Sequence, residues 1–538
     1  MILLLPIGLL LVAALAIFIL DRIRPKLGTS WLIASSAAII AWLTIFILRL
    51  RLPTTLPLLS WSQPESTLLG QFTLLLDYDA WPYALSLITI TLAVILTDAA
   101  RTRYDSTPLS WAASLTITAL GLLALQSGTS MTLMVTWMIV DLLELFYLLR
   151  LEEANRFFNR IVLAYGVRTT SILMLFMATI QGWQTAGQFD LTQIPQSAGF
   201  LFMLAAGLRL GVFPLNLPFL QEPKLRRGAG NIIRLAPVAS SLSLLARLPD
   251  NLITPALQNW LPLFHGMLAA AALYAAFRWL TATNEISGRP FWVIAWAALA
   301  TVSVLNGAPS ASLAWGVALL LPGSLAFLYS PRIQRMNFLM FFGLIGLIGL
   351  PFTPLASGWV GLVSSGFTIW TVFYVLTHAI MILGYLNHSL RPGGEVGALE
   401  SWARLVFPLG MIVIIQAIAT LGLIGWPGSL TVGTWWLAMI SMLLIFGAIL
   451  AGRKMGIHSP YLHLPANRTL TKVLDVVLPK VELVLRLDWL YQLLWQINRL
   501  VGAAIRSFSA ILESDGGILW TVLLLVLLIS ILAGGGIN

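Results

Sequence analysis

Apolar runs about twenty residues long follow one another from end to end of the chain, separated by short polar segments. A helix needs roughly 20 apolar residues to cross a hydrocarbon core ~30 Å thick, so each run predicts a membrane span. The spans fall near 2–20, 30–50, 80–99, 110–126, 129–149, 159–181, 197–220, 230–247, 258–280, 289–306, 310–330, 337–356, 358–388, 404–425, 432–452 and 516–533, sixteen in all. The first, MILLLPIGLLLVAALAIFIL, has neither a basic leader nor a small-residue cleavage site, and reads as a retained span. The pattern predicts an all-α polytopic membrane protein.

Residues 467–515 depart from that pattern. VELVLRLDWLYQLLWQINRLVGAAIRSFSAILE interleaves apolar positions with Glu482, Arg486, Gln496, Arg499 and Arg506 at helical spacing. This is the signature of an amphipathic helix lying along a membrane surface or against neighbouring subunits. Pro479 bends the segment, and from Lys480 to Glu513 a helix would run ~50 Å.

Two spans carry proline in their middle. GLRLGVFPLNLPF (207–219) holds Pro214 and Pro218, and GLIGLPFTPLASGW (346–359) holds Pro351 and Pro354. Proline removes a backbone donor and kinks a helix, which lipid tolerates only where protein or a wet cavity satisfies the freed carbonyls. The broken spans are the seventh and the twelfth, five apart. An odd offset inverts topology, so spans 4–8 and 9–13 form a candidate pair of inverted five-helix repeats; the alternative is that proline is simply commoner in membrane helices. The expected organisation is 1–105 (spans 1–3), 106–250 (first repeat), 251–390 (second repeat), 391–455 (spans 14 and 15), 456–515 (amphipathic lateral segment) and 516–538 (final span).

Composition agrees with this plan. Hydrophobic residues make up 59% of the 538 positions and charged residues only 10%, against about 25% charged in soluble domains. The net charge of +10 suggests no nucleic-acid partner, because the basic residues sit in short loops between spans. Loops after odd-numbered spans carry them, for example Arg22, Arg24 and Lys26, Arg278 and Arg289, and Arg453 with Lys454. The alternate loops hold almost none beyond Arg49 and Arg51. The positive-inside rule then puts both termini outside and the basic loops in the cytoplasm of a prokaryotic cell. The absence of cysteine excludes disulfides, thiolate metal sites and thiol nucleophiles.

Against this apolar background, TWMIVDLLELFYLLRLEE (136–153) places Asp141 and Glu144 inside span 5. Three residues apart, they share one helix face. Arg168 falls in span 6, Arg209 in span 7 before its break, and Arg234 near the start of span 8; His265 and His378 lie in spans 9 and 13. Ionisable residues in spans are costly and point to ion pathways or to mutual pairing. Both readings stand for the acids: a proton or ion route, or a structural ion pair. For the histidines, a polar residue satisfied between helices is the simpler reading.

The order of these features resembles the antiporter-like membrane subunits shared by respiratory complex I, membrane-bound hydrogenases and multi-subunit cation/proton antiporters. Asp141 takes the place of that family's span-5 glutamate. GLRLGVFPLNLPFL resembles its broken seventh helix, LYAAFRWLTATNEISGRPFWVIAWAALA its span 9–10 junction, LIGLPFTPLASGWVG its break in span 12, and ILESDGGILWTVLLL its C-terminal end. The resemblance implies other membrane subunits as partners, sibling antiporter-like chains among them, within a lipid bilayer. It also implies lysines on helices 7 and 8 and a lysine or glutamate on helix 12. Those places are Arg209, Ala239 and Leu362 here, and all five lysines of the chain lie outside the predicted spans. A desolvated lysine can release its proton near neutral pH, whereas an arginine effectively never does.

Three functions are therefore expected as candidates. One is an antiporter-like subunit that serves mainly as scaffold, its proton route weakened or lost. A second is a working translocator using Asp141 and internal water. The third is a lipid-modifying membrane enzyme built on Glu65, Asp77 and Asp79. No phosphate-binding glycine loop and no cysteine set for an iron–sulfur cluster is present, so no cofactor and no catalytic site of its own is expected. Any NADH:quinone-type oxidoreductase chemistry of the assembly falls to partner subunits.

Overall fold

The computed structural model describes residues 2–23, 27–59, 72–101, 107–151, 158–216, 225, 227–329, 336–391, 401–454 and 516–534, with 492, 496, 499, 500 and 503 as isolated positions. The predicted lateral segment and Pro218 therefore lie outside the described residues, those five positions apart. The described chain is helical almost throughout: α1 (Leu4–Ile23), α2 (Leu27–Leu48), α3 (Trp81–Asp98), α4 (Pro108–Leu125), α5 (Ser130–Leu151), α6 (Phe158–Ala186), α7 (Gln196–Leu210) and α8 (Arg227–Ala246). These are followed by α9 (Leu261–Thr281), α10 (Glu285–Leu305), α11 (Pro309–Leu328), α12 (Asn337–Ile348), α13 (Ala356–Val363), α14 (Ile369–Leu390), α15 (Ser401–Ile424), α16 (Trp435–Lys454) and α17 (Gly516–Gly534). Among the described residues, 12 helices are long and apolar enough to cross a membrane, and four shorter apolar ones accompany them. The protein is an integral membrane protein of all-α polytopic fold.

Residues 1–469 form one compact unit and 470–538 a second, which contains α17. Within the first unit, α3, α8 and α11 are buried along their whole length and α10 nearly so, which makes them the centre of the bundle. Helices α4 to α8 and α9 to α14 pack in parallel order. In each group the first helix touches the last, the second touches the third, and the third touches the broken fourth.

Both breaks follow from local backbone chemistry. Helix α7 stops because Gly211 turns left-handed at φ +76° and the Gly207 carbonyl accepts from both Val212 (2.9 Å) and Phe213 (3.2 Å). Pro214 has no N–H to extend the helix, and Asn216 Nδ2 donates instead to the carbonyls of Leu208 (3.3 Å) and Pro214 (3.0 Å). Helix α12 ends in the same manner at Gly349, φ +70°, ahead of Pro351 and Pro354.

The sequence-predicted thirteenth span, 358–388, needs correction. Its first residues are α13, the second half of the broken helix, and a turn through Gly366 (φ +100°) separates them from α14. Thr368 and Thr371 cap the new helix reciprocally, an N-terminal signature inside what hydropathy alone reads as one run.

Among the described residues, one element is not helical. β1 (Thr54–Leu59) pairs antiparallel with β2 (Phe72–Leu76), from Thr54 opposite Leu76 to Leu59 opposite Phe72, with an irregularity between Pro57 and Leu59. The α4–α5 turn joins the free side of β2: Leu75 donates to the Gln126 carbonyl (2.6 Å) and Gly128 to that of Thr73 (2.9 Å). Only glycine fits at 128, since a Cβ would stand 2.6 Å from Thr73 Oγ1.

Candidate functional site

Helices α5, α6, α7 and α8 bring five of the predicted residues into one buried cluster. Asp141 on α5 accepts from Arg209 on α7 through both oxygens, Nη1 to Oδ2 at 2.6 Å and Nη2 to Oδ1 at 2.5 Å. Arg168 on α6 reaches Asp141 Oδ1 at 3.2 Å and also donates to Glu144. Arg234 on α8 donates to the other oxygen of Glu144. The side chains of all five are between 1% and 6% exposed, so these ions are screened by one another and not by solvent.

The local sequence explains the convergence. The three-residue spacing of Asp141 and Glu144 turns both acids to the same side of α5. Arg209 sits in the last turn of α7, where the carbonyl end of the helix dipole favours a cation. Its guanidinium also lies 4.5 Å from the ring centre of Trp137, one helical turn before Asp141. Trp137 is held in turn by donation from its Nε1 to Ser240 Oγ, 3.0 Å away. A fork-on-carboxylate pair plus an aromatic face is the geometry for which arginine is suited and lysine is not.

His265 and His378 belong elsewhere. His265 Nδ1 is 3.1 Å from the Tyr374 hydroxyl, which also donates to the His265 carbonyl at 3.2 Å. His378 sits beside the α12–α13 break, between Ser441 and the Leu347 carbonyl. Among the described residues, no hydrogen bond or ion pair joins either histidine to the arginine cluster. Positions 239 and 362 are a buried alanine on α8 and a buried leucine on α13.

Three polar contacts were not foreseen. Arg247, just past α8, donates from Nε to Asp77 Oδ2 and from Nη1 to the Ser127 carbonyl, both at 2.9 Å. Asp77 Oδ1 caps the start of α3 by accepting from Ala80 N at 2.8 Å, so both its oxygens are engaged. The neighbouring Asp79, outside the helices, has its carboxyl pushed up from 3.8 to about 6 by burial and by the charge of Asp77, partly offset by Arg247. Arg227 pairs with Glu285 at 2.5 Å, and Arg289 Nη1 donates to Asn231 Oδ1 at 2.8 Å. Arg289, assigned to a loop by hydropathy, is fully buried in the first turns of α10. A polar residue at a span edge reads as loop in sequence, and only the packing of α8 on α10 separates the two cases.

No protein-family model and no curated protein matches the chain. Solved structures do. A chain of the membrane-bound sulfane sulfur reductase, an archaeal respiratory membrane complex, superposes with TM-score 0.71 at 12% identity, over 98% of this chain and 100% of that one. A chain of the Mrp complex from a Dietzia species gives 0.71 at 15% identity over 100% of this chain, which spans 63% of its length. A chain of respiratory complex I from Thermus thermophilus gives 0.61 at 17% identity, over 83% of this chain and 100% of that one. Across such low identities the likeness is one of fold, and this chain shares the fold of these chains from the sulfane sulfur reductase, Mrp and complex I assemblies.

Proposed function

We propose that the chain is an antiporter-like subunit of a multi-subunit membrane assembly related to complex I or to Mrp, acting mainly as scaffold with its own proton route weakened or lost. The observation that carries this reading is the two-bonded Asp141–Arg209 pair. A relay needs a group that is charged at one moment and neutral at the next. A guanidinium remains charged at any pH the protein meets, and here it is held on both oxygens of one buried carboxyl. The pair anchors charge in the bilayer and does not hand it on.

On this reading its partners are other membrane subunits, sibling antiporter-like chains among them, and both termini lie outside a prokaryotic cell membrane with the basic loops cytoplasmic. The test is proton flux through the native assembly, purified and reconstituted in lipid vesicles, with Asp141→Asn in this chain. Flux within about twofold of the parent is expected. A tenfold or greater loss, equal to about 1.4 kcal/mol of barrier, would instead identify Asp141 as a working proton carrier.

A further inference from the structure

The α12–α13 break has chemistry of its own. In an unbroken helix the Leu347 carbonyl would accept from the N–H of residue 351, but residue 351 is proline and has none. His378 Nε2, 2.7 Å from that carbonyl, supplies the missing donor from α14. Because a carbonyl only accepts, Nε2 must carry the hydrogen, and Nδ1 accepts from the Ser441 hydroxyl of α16 at 2.7 Å. The orphaned carbonyl is thus satisfied by a side chain in place of water.

Three tryptophans close around this imidazole. The ring centres of Trp359, Trp296 and Trp315 stand 4.8, 5.7 and 6.1 Å away, inclined at 71°, 87° and 76°, the edge-to-face arrangement aromatic rings favour. All three tryptophans and His378 are fully buried. Trp315 Nε1 donates to Ser303 Oγ and to the Gly358 carbonyl, each at 3.1 Å, so it is itself fixed. The α7 break has Arg209 five residues before Pro214. Five residues before Pro351 stands Gly346, packed on Pro322 and Ile418.

We propose that the α12–α13 break is a dry aromatic joint, latched by His378 acting as a positioning residue, and that it closes the second repeat to water and ions. This adds a second barrier to the proposed function, one that does not depend on the fixed charge of Arg209. The indole N–H groups of Trp296 and Trp359 have no hydrogen-bond acceptor among the described residues.

The chain has no cysteine, so a single introduced thiol reports alone. Ser441→Cys places one beside His378, Ser303→Cys places a second probe beside Trp315, and Ser365→Cys at an exposed site sets the reference rate. The full chain in lipid vesicles is treated with a small membrane-permeant maleimide. Labelling of S441C and S303C is expected to be at least about a hundredfold slower than that of S365C, because it must await local opening. Adding His378→Leu should accelerate S441C at least about tenfold, whereas His378→Gln, which keeps a donor near the Nε2 position, should not. Labelling of S441C or S303C at the S365C rate with His378 in place overturns the dry joint. Equal effects of His378→Leu and His378→Gln overturn the latch. If S441C fails to fold, the comparison is run on S303C. The assay does not read flux at Asp141, so the two readings fail separately.

Discussion

Replacing Asp141 by leucine isolates the energetic core of the argument. The substitution strips both acceptors from Arg209, whose Nη1 and Nη2 donate at 2.6 and 2.5 Å in surroundings where both side chains are 1% exposed. Removing one member of a buried ion pair strands the other charge in low dielectric and costs about 3–5 kcal/mol. Arg209→Leu strands Asp141 in turn, though Arg168 at 3.2 Å moderates the loss. The double variant strands neither, so its cost should fall well below the sum, with a coupling of about 2–4 kcal/mol. The Arg209–Trp137 contact is lost in both arginine variants and cancels in the cycle. Unfolding in mixed micelles by graded addition of dodecyl sulfate, run on all four proteins, measures the coupling. A value under about 1 kcal/mol, the range of exposed or neutral pairs, would mean that Asp141 and Arg209 are not a locked ion pair, and the fixed-charge reading would be wrong.

Three further outcomes are expected. Gly349→Ala should destabilise by more than about 3 kcal/mol, since the position has φ +70° and a Cβ would stand 2.1 Å from Trp359 Nε1, whereas Gly8→Ala, with open space at its Cβ, should be neutral in the same unfolding assay. Arg247→Met leaves Asp77 buried without its cation and releases the Ser127 carbonyl; amide exchange in β2 should accelerate about tenfold or more while exchange in α10 stays unchanged. Asp79 takes up a proton on folding between its unfolded value of 3.8 and its folded value of about 6. Its stabilising contribution is therefore full below pH 3.8 and lost as pH rises through about 6. Its upper bound is about 3 kcal/mol, reduced by solvent screening at this partly exposed carboxyl. Thermal melts of Asp79→Asn should show a flatter slope across that window, and an unchanged slope refutes the assignment.

Hydropathy makes the helices legible here because lipid leaves the backbone no alternative to internal hydrogen bonds. The five-residue cluster is legible for a related reason. Asp141, Glu144, Arg168, Arg209 and Arg234 each stand in an apolar run, where an ion without a partner is prohibitively costly. Which cation meets which acid is not in the sequence, since that depends on the approach of α7 and α8 to α5. The β1–β2 hairpin escaped notice because TTLPLL and FTLLL are short, apolar and interrupted by Pro57, and they draw much of their order from the α4–α5 turn. The aromatic joint escaped for a different reason. Trp296, Trp315 and Trp359 are spread over three helices, and buried tryptophan in a membrane protein carries no sequence signal that separates lipid-facing from protein-facing rings.

The two breaks solve one backbone problem in opposite ways, and that contrast bears on what the bundle can do. Each proline interruption frees carbonyls that protein or water must satisfy. Near α7 the answer is polar, with Asn216 on the carbonyls and a charged network one helical turn away. At α12–α13 it is aromatic, with a single imidazole bonded on both nitrogens and enclosed by indoles. A proton path through both would need an exchangeable group in the first and a file of water in the second. The first offers guanidinium ions that do not release protons, and the second offers an imidazole already bonded on both nitrogens and enclosed by indoles. Restoring an amine at Arg209 alone would supply only half of what conduction requires, so on the proposed reading the scaffold role rests on two separate obstacles of different chemistry.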